Sequence, residues 1–487
     1  MPSVGTWIER RARIDPDQLA VVGAGRSLTY AELAERVRRL AYALTRLGVR
    51  RGNRVAWLGP NHPAFLESLF ACGLVGAALA PVNHKLAPEQ IAAILDDTAA
   101  RVLIQSADPT GAVTVSGEDF EALIAQSPFD VEVDMPVGMD DTCLLARSSG
   151  TTGTPKAIML THANVTWNVV NMLSYADFRP GDVTVAITPF FRVGGTGVNV
   201  LPVLFRGGTV VIPDDMSADG ILRDMQRHRV TVGFANPDLL ESLVRSEIWP
   251  SADLSSVRFI ITGGAPVPEH LIRRYLDRGL TLLQGYGLSE AAPVALLLDP
   301  SSALTKMGSA GRPPLLVDVR IVAADGTVVG PGETGELQVR GPNVMAGYWN
   351  QPEATRAVMT PDGWLRTGDA ARADEQGYVW IVDRIADRFY ADGQAVYPAD
   401  VERVLVGDPS IADAGVVQLS SVDGAEKVAA VVVPAAGSTV SEPELLASWH
   451  RLLPSHQAPT SVTIVDSLPR SSVGKLLRAE LRALVDR

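Results

Sequence analysis

At 487 residues, with 46% hydrophobic and 20% charged side chains, the chain has the composition of a soluble globular protein with room for two or three cored domains. A net charge of −12 without a basic block argues against nucleic acid as a partner, and two cysteines, Cys72 and Cys143, are too few for a disulfide framework or a cysteine metal site. Met1–Trp7 lacks a signal pattern, and the longest apolar run, Leu69 to Val82, is glycine-interrupted and short of a membrane span, so the expectation is a cytoplasmic protein without a transmembrane segment.

The first clear element is a helix. Thr29 and Glu32 form a capping box, Leu33, Val37, Leu40, Leu44 and Leu47 recur at helical spacing, and Gly48 stops the run. Next comes Ser148-Ser149-Gly150-Thr151-Thr152-Gly153-Thr154-Pro155-Lys156, with five hydroxyls, two glycines and one ammonium. Such a segment adds nothing to a core, but it can wrap an anion. Glycines let backbone N–H groups turn inward, hydroxyls add donors, and lysine adds charge. The glycine spacing excludes G-x-x-x-x-G-K-[ST]. A polar surface turn is the plain alternative.

Thr209–Ile212 and Val257–Ile261 look like buried strands, each closed by Gly or Pro. Strand-like and helix-like segments alternate, which predicts α/β layers around largely parallel sheets. Gln284-Gly285-Tyr286-Gly287-Leu288-Ser289-Glu290 reads as a glycine-loosened turn offering an aromatic face, a hydroxyl and a carboxylate that could hold Mg2+. From about Gly326 short strands such as Gly335–Arg340 suggest a β-rich subdomain. Trp364–Asp369 sets an acid on a glycine turn, suited to a ribose diol, although such an Asp is ordinarily a turn residue. After Asp383-Arg384, a last block carries strands at Ala414–Leu419 and Val428–Val433 and a helix near Glu442–Leu453. Lys475 lies there on a polar loop, where a lone lysine is ordinarily just solvated.

Together and in this order, these segments closely resemble the AMP-forming adenylating superfamily of acyl-CoA synthetases, adenylation domains and luciferases. The likeness spans essentially the whole chain and is strongest to the fatty acyl-CoA synthetase branch, with Ile261–Pro266 and Asn350–Thr355 as further matches. It implies a large N-terminal domain of layered α/β subdomains, residues 1–385, with a β-rich subdomain at about 315–385. A small mobile α+β C-terminal domain, residues 386–487, would follow.

The implied chemistry is attack of a carboxylate on the α-phosphate of ATP, giving an acyl-adenylate and pyrophosphate, followed by transfer to CoA. Two anions must meet, and at about 4 Å with an effective dielectric near 20 each like-charge pair costs roughly 4 kcal/mol. The resemblance assigns the phosphate grip to Ser148, Ser149, Gly150, Thr151, Thr152, Gly153 and Lys156, and a catalytic Mg2+ to Glu290. Adenine would fall to Gly263, Gly264, Ala265 and Tyr286, alongside Gly287 and Ser289; Asp369 would take the ribose hydroxyls, Arg384 ribose or phosphate. Lys475 would bridge carboxylate and α-phosphate, and Phe190, Phe191, Arg192, Val193, Gly263, Gly264, Gly285 and Ala292 would wall the acid pocket.

The chain departs from the family's pattern in places. Pro189-Phe190-Phe191-Arg192-Val193-Gly194-Gly195 has arginine where histidine belongs. Ala386 occupies the hinge position usually held by Asp or Lys, and Asp392 replaces a glycine in the loop along which pantetheine should run. Arg147 stands where an aromatic often precedes the phosphate loop, and Ala157 where a glycine usually follows its lysine. Arg192 could hold an anion by a bidentate fork. The open alternatives are therefore an amine acceptor, in amide formation or in diazo formation through nitrite activation, and a carrier protein.

Overall fold

The computed structural model describes residues 3–105, 114–129, 136–148, 155–420, 426–470 and 476–485. The chain divides into two compact units, Met1–Val319 with Gln338–Arg366 and Arg320–Leu337 with Thr367–Arg487.

Among the described residues, the first unit is built on two large sheets. One runs in the order Val294–Leu297, Leu282–Gly287, Phe259–Thr262, Val232–Ala235, Val183–Val185, Thr209–Val211, Leu19–Gly23, Arg26–Thr29. Its inner strands are parallel and its two edge strands antiparallel. The other runs Gly347–Tyr348, Ala157–Thr161, Thr142–Arg147, Ala78–Val82, Arg54–Leu58, Val102–Gln105, Thr114–Val115. Parallel strands need crossover helices on their faces, which is why strand and helix alternate along the sequence.

The helix read from the Thr29 capping box spans Tyr30–Arg46, with both capping hydrogen bonds present and Leu33, Val37, Leu40 and Leu44 buried. The Leu69–Val82 run divides between the buried helix Pro63–Val75 and the strand Ala78–Val82, with Gly76 left-handed between them. Two strands differ from the sequence reading. The segment expected over Val257–Ile261 is paired over Phe259–Thr262, because its partners hold the register at Val232–Ala235 and Leu282–Gln284. Gln284–Gly287 is no turn. It belongs to the strand Leu282–Gly287, since Val294–Leu297 supplies an antiparallel partner that local composition does not reveal.

The second unit holds most of a four-stranded sheet ordered Asp318–Val322, Gly335–Arg340, Leu365–Ala373, Val379–Arg384. It also holds the three strands Ile411–Ser420, Glu426–Pro434 and Ser461–Ile464, with helices Pro398–Val406, Glu442–Leu452 and Arg478–Val485. Val401, Leu405, Val416, Ala430, Val432 and Trp449 are buried together in its core.

A buried asparagine ties the helix His162–Tyr175 to two segments at the strand ends. Asn168 Nδ2 donates to the Gly197 carbonyl at 2.8 Å, and its Oδ1 accepts the Val294 N–H at 3.2 Å. Asn168→Ala orphans both backbone groups, so denaturant unfolding should show a loss of about 2–4 kcal/mol with an unchanged m-value.

Candidate functional site

Four neighbouring parallel strands of the first sheet end on one edge, and several of the residues singled out from the sequence lie just beyond those ends. Val183–Val185 leads to Pro189–Gly197, Phe259–Thr262 to Gly263–Ala265, and Leu282–Gly287 to Ser289 and Glu290. Ligands of open α/β sheets bind at such carboxyl ends.

Close backbone approach shapes this edge. A Cβ on Gly263 would lie 2.4 Å from the Gly285 carbonyl oxygen, one on Gly287 1.8 Å from that of Pro293, and one on Gly195 2.2 Å from that of Pro189. Any side chain at these positions would push the strand ends apart. Gly264 is left-handed (φ 85°) and, with Ala265, exposed, so the turn offers bare backbone beside half-buried Tyr286. Asn61 secures the next segment, accepting the Phe190 N–H at 2.7 Å and donating to the carbonyls of Ala186 and Thr188, each at 2.9 Å.

Arg192 caps the short helix Val193–Gly197. Among the described residues, no carboxylate pairs with its guanidinium. Its surface is open to solvent, yet the protein mass around it lowers its pKa through desolvation. Phe191 beside it meets His84 edge to face at 5.9 Å, and His84 Nδ1 is buried without a hydrogen-bond partner among the described residues. Arg147, by contrast, is committed: its NH2 group pairs with Asp97 Oδ2 at 2.5 Å and its NH1 group donates to the Pro155 carbonyl at 3.3 Å.

Of the expected phosphate loop, Ser149, Gly150, Thr151, Thr152 and Gly153 lie outside the described residues, as does Lys475. The loop's neck is described. Ser148 N–H donates to the Lys156 carbonyl at 3.0 Å, and Lys156 N–H donates to Ser148 Oγ at 2.9 Å.

Above that neck stands a residue that the sequence reading missed. Tyr348 Oη donates to Glu290 Oε1 at 2.9 Å, while Lys156 Nζ sits 5.3 Å from the centroid of the Tyr348 ring. Burial, with the neighbouring carboxylate, raises the phenol's pKa and keeps it a donor. The available signal was an aromatic in Gly347-Tyr348, just ahead of a helix opening with Pro352. A carboxylate with a single side-chain partner among the described residues, beside an ammonium held over the same ring, suits a hard divalent cation shared with phosphate oxygens.

In the second unit, Asp369 is not on a turn. It is buried within the strand Leu365–Ala373 and directly opposite Arg384 in register, and the two side chains pair at 2.5 Å. The residues expected to bind ribose thus neutralise each other. Asp392 is the other surprise. With Gly393 it forms a two-residue connection between Phe389–Ala391 and Gln394–Val396, at φ 50° and 72°. Asp-Gly suits that left-handed turn, so the aspartate adopts the conformation that a glycine would, and it is exposed.

A family model described as AMP-binding enzyme matches residues 8–349, and one described as AMP-binding enzyme C-terminal domain matches residues 400–475. The chain belongs to the AMP-binding enzyme family. This AMP-binding enzyme is 44% identical to a feruloyl-CoA synthase of an Amycolatopsis species, over 98% of each chain. It is 38% identical to an indoleacetate–CoA ligase of Aromatoleum aromaticum, over 99% of this chain and 98% of the relative. O-succinylbenzoate coenzyme A synthetase from Bacillus subtilis, solved with ATP and magnesium, superposes with a TM-score of 0.86 at 30% identity, covering 98% of this chain and 99% of that one. The resemblance read from the motifs and the α/β class both hold.

Asp383, next to Arg384, is the titratable group most displaced toward neutral pH in the second unit. Burial pushes its carboxyl up to about 6, against the N–H groups of Ala399 and Arg384, each donating at 2.7 Å, and against Arg478 at 3.9 Å. The native state therefore keeps a proton between the ordinary value of 3.8 and about 6, where the unfolded chain has lost it. Stability from this group declines as pH rises through that window. Unfolding of wild type and Asp383→Asn at several pH values should show wild type losing ground to the variant from pH 4 to 6 and a constant difference above.

Proposed function

We propose that the enzyme activates an aryl-substituted carboxylic acid as its adenylate and transfers the acyl group to CoA. The observation that carries this reading is full-length identity of 44% and 38% to two ligases named for aromatic acids. The site edge supports it. Phe191 and Phe234 flank the glycine-rich segment Val193–Gly197, where Gly194 approaches the Phe234 ring without a side chain of its own.

In adenylation, a carboxylate oxygen of the acid attacks the α-phosphorus, and the bond to the β-phosphate breaks with pyrophosphate leaving. Binding both anions side by side is the barrier this site must lower. Lys156 would meet the β- and γ-phosphates, with the Ser148–Lys156 hydrogen bonds fixing the loop's two ends. Gly263–Ala265 and Tyr286 would hold adenine, and Asp369 and Arg384 would exchange part of their mutual pairing for ribose. Glu290 would hold a Mg2+ ion, which supplies charge neutralisation to the triphosphate. Lys475 would bridge the attacking carboxylate and α-phosphate. In the second step the CoA sulfur attacks the acyl carbon and AMP leaves. We assign residues 386–487 as the mobile module, with the hinge at Ile385–Asp387.

The test is a pyrophosphate-release and thioester assay over hydroxycinnamic, indolyl and long-chain acids, with CoA, an amine or a carrier protein as acceptor. Aryl acids should give AMP and an aryl-CoA, and Lys475→Ala should cut acid-dependent release by about 10²–10³-fold. Acyl transfer confined to amine or carrier protein would overturn the CoA assignment.

Arg192 favours a second reading, in which the acid or an amine acceptor brings an extra carboxylate. Its guanidinium fork, which has no carboxylate partner among the described residues, suits bidentate anion recognition. Under that reading, Arg192→Leu raises KM for an aryl diacid or for an amino acid acceptor about tenfold or more and leaves an aryl monoacid with CoA within about twofold, since losing a charge-assisted hydrogen bond costs about 1.5–3 kcal/mol. Equal effects on all substrates would reject it.

A further inference from the structure

We infer that Tyr348 is a positioning residue that sets two separate features of the nucleotide site: its hydroxyl orients the Glu290 carboxylate for the metal, and its ring seats the Lys156 ammonium for phosphate. The inference rests on the ATP-binding reading above and assigns parts within it.

The geometry comes from the sheet edge. Gly347–Tyr348 is a two-residue strand docked antiparallel on Ala157–Thr161, with Tyr348 opposite Ile158 and Gly347 opposite Met159. Trp349 N–H continues the ladder to the Ala157 carbonyl at 2.8 Å, and Ala346 N–H extends it to Met159 at 3.0 Å. Tyr348 N–H, facing the other way, donates to Thr355 Oγ1 at 2.9 Å on the helix Pro352–Val358. The backbone is therefore fixed on both sides. That register sets the phenol beside Lys156, the residue just before the strand, because Tyr348 stands opposite Ile158 and Lys156 lies two positions back along the same chain.

Glu290 arrives from a different direction, in the short 3-10 turn Ser289–Ala291 that leaves the other large sheet. Its carbonyl accepts the Met345 N–H at 2.8 Å, two residues before Gly347, so the Met345–Trp349 segment grips the main chain of Glu290 as well as its side chain. With Oε1 accepting from a fixed phenol, the carboxylate plane is set before any cation arrives, and such preorganisation reduces the ordering cost of binding. The ammonium over the ring face is held by the quadrupole, an attraction that needs the ring but no hydroxyl.

The two roles separate by substitution. Tyr348→Phe keeps the ring and deletes the hydroxyl, whereas Tyr348→Leu deletes both. Calorimetric titration with Mg·ATP, and with ATP in excess chelator, is the experiment, each variant first being checked for a native circular dichroism spectrum and melting curve. Tyr348→Phe should weaken Mg·ATP about tenfold and leave metal-free ATP within about twofold. Tyr348→Leu should weaken both by at least about fivefold. In a Glu290→Gln background, Tyr348→Phe should have no additional effect on Mg·ATP. Equal loss, or no loss, in both nucleotide forms for Tyr348→Phe overturns the hydroxyl's role, and wild-type metal-free binding by Tyr348→Leu overturns the ring's. Failure of the wild-type protein to bind ATP in either form would instead remove the underlying functional reading.

Discussion

One tyrosine side chain joins groups that the chain brings from two different sheets. Lys156 immediately precedes a strand of the sheet that contains Gly347–Tyr348, while Glu290 leaves the sheet that ends at Val294–Leu297. Either group alone is a surface lysine or a half-buried acid of no special meaning. The hydrogen bond from Tyr348 to Glu290 and the approach of Lys156 to the same ring turn them into one constellation. An acid on its hydroxyl and an ammonium over its ring, without a direct ion pair between them among the described residues, suit the nucleotide site proposed above, whereas direct pairing would have cancelled both.

The glycines do a related job on the backbone. Where Gly263 meets Gly285, Gly287 meets Pro293, and Gly195 meets Pro189, main chains approach too closely for a Cβ. The result is a strand-end edge with little side-chain volume. Chemistry that brings an anionic nucleophile to an anionic phosphorus depends on charges fixed beforehand, because reorganisation during reaction would forfeit much of the stabilisation. A close-packed glycine edge, secured from behind by Asn61 and Asn168, is rigid enough for that purpose.

The second unit uses charge differently. Asp383 is buried and takes two backbone N–H groups, one from Arg384 next to it and one from Ala399 at the start of the helix Pro398–Val406. Arg478 gathers Glu402 at 2.6 Å and Asp387 at 3.8 Å around the same segment. The carboxylates thus tie down the ends of the stretch from Arg384 to Ala399, within which Phe389, Ala391 and Val396 are buried in the unit's core and Ala386 is exposed.

Much was legible in the sequence because it is local. The Thr29 capping box, the helical spacing up to Leu44, the strand Gly335–Arg340 and the hydroxyl–glycine–lysine composition of Ser148–Lys156 are set by neighbours a few residues away. The order of the motifs was enough to indicate adenylation. Register and pairing were not legible, because they depend on partners far along the chain. Gln284–Gly287 looks like a turn until Val294–Leu297 pairs with it, Asp369 looks free until Arg384 stands opposite, and the left-handed backbone of Asp392 shows only in its hairpin. Tyr348 carried only the weak signal of an aromatic after a glycine, ahead of a helix that opens with Pro352. The sequence by itself determined which residues carry the charge and where the backbone can bend; only the tertiary structure decided which of them meet, since a hydrogen bond between residues 58 positions apart is written in no local pattern.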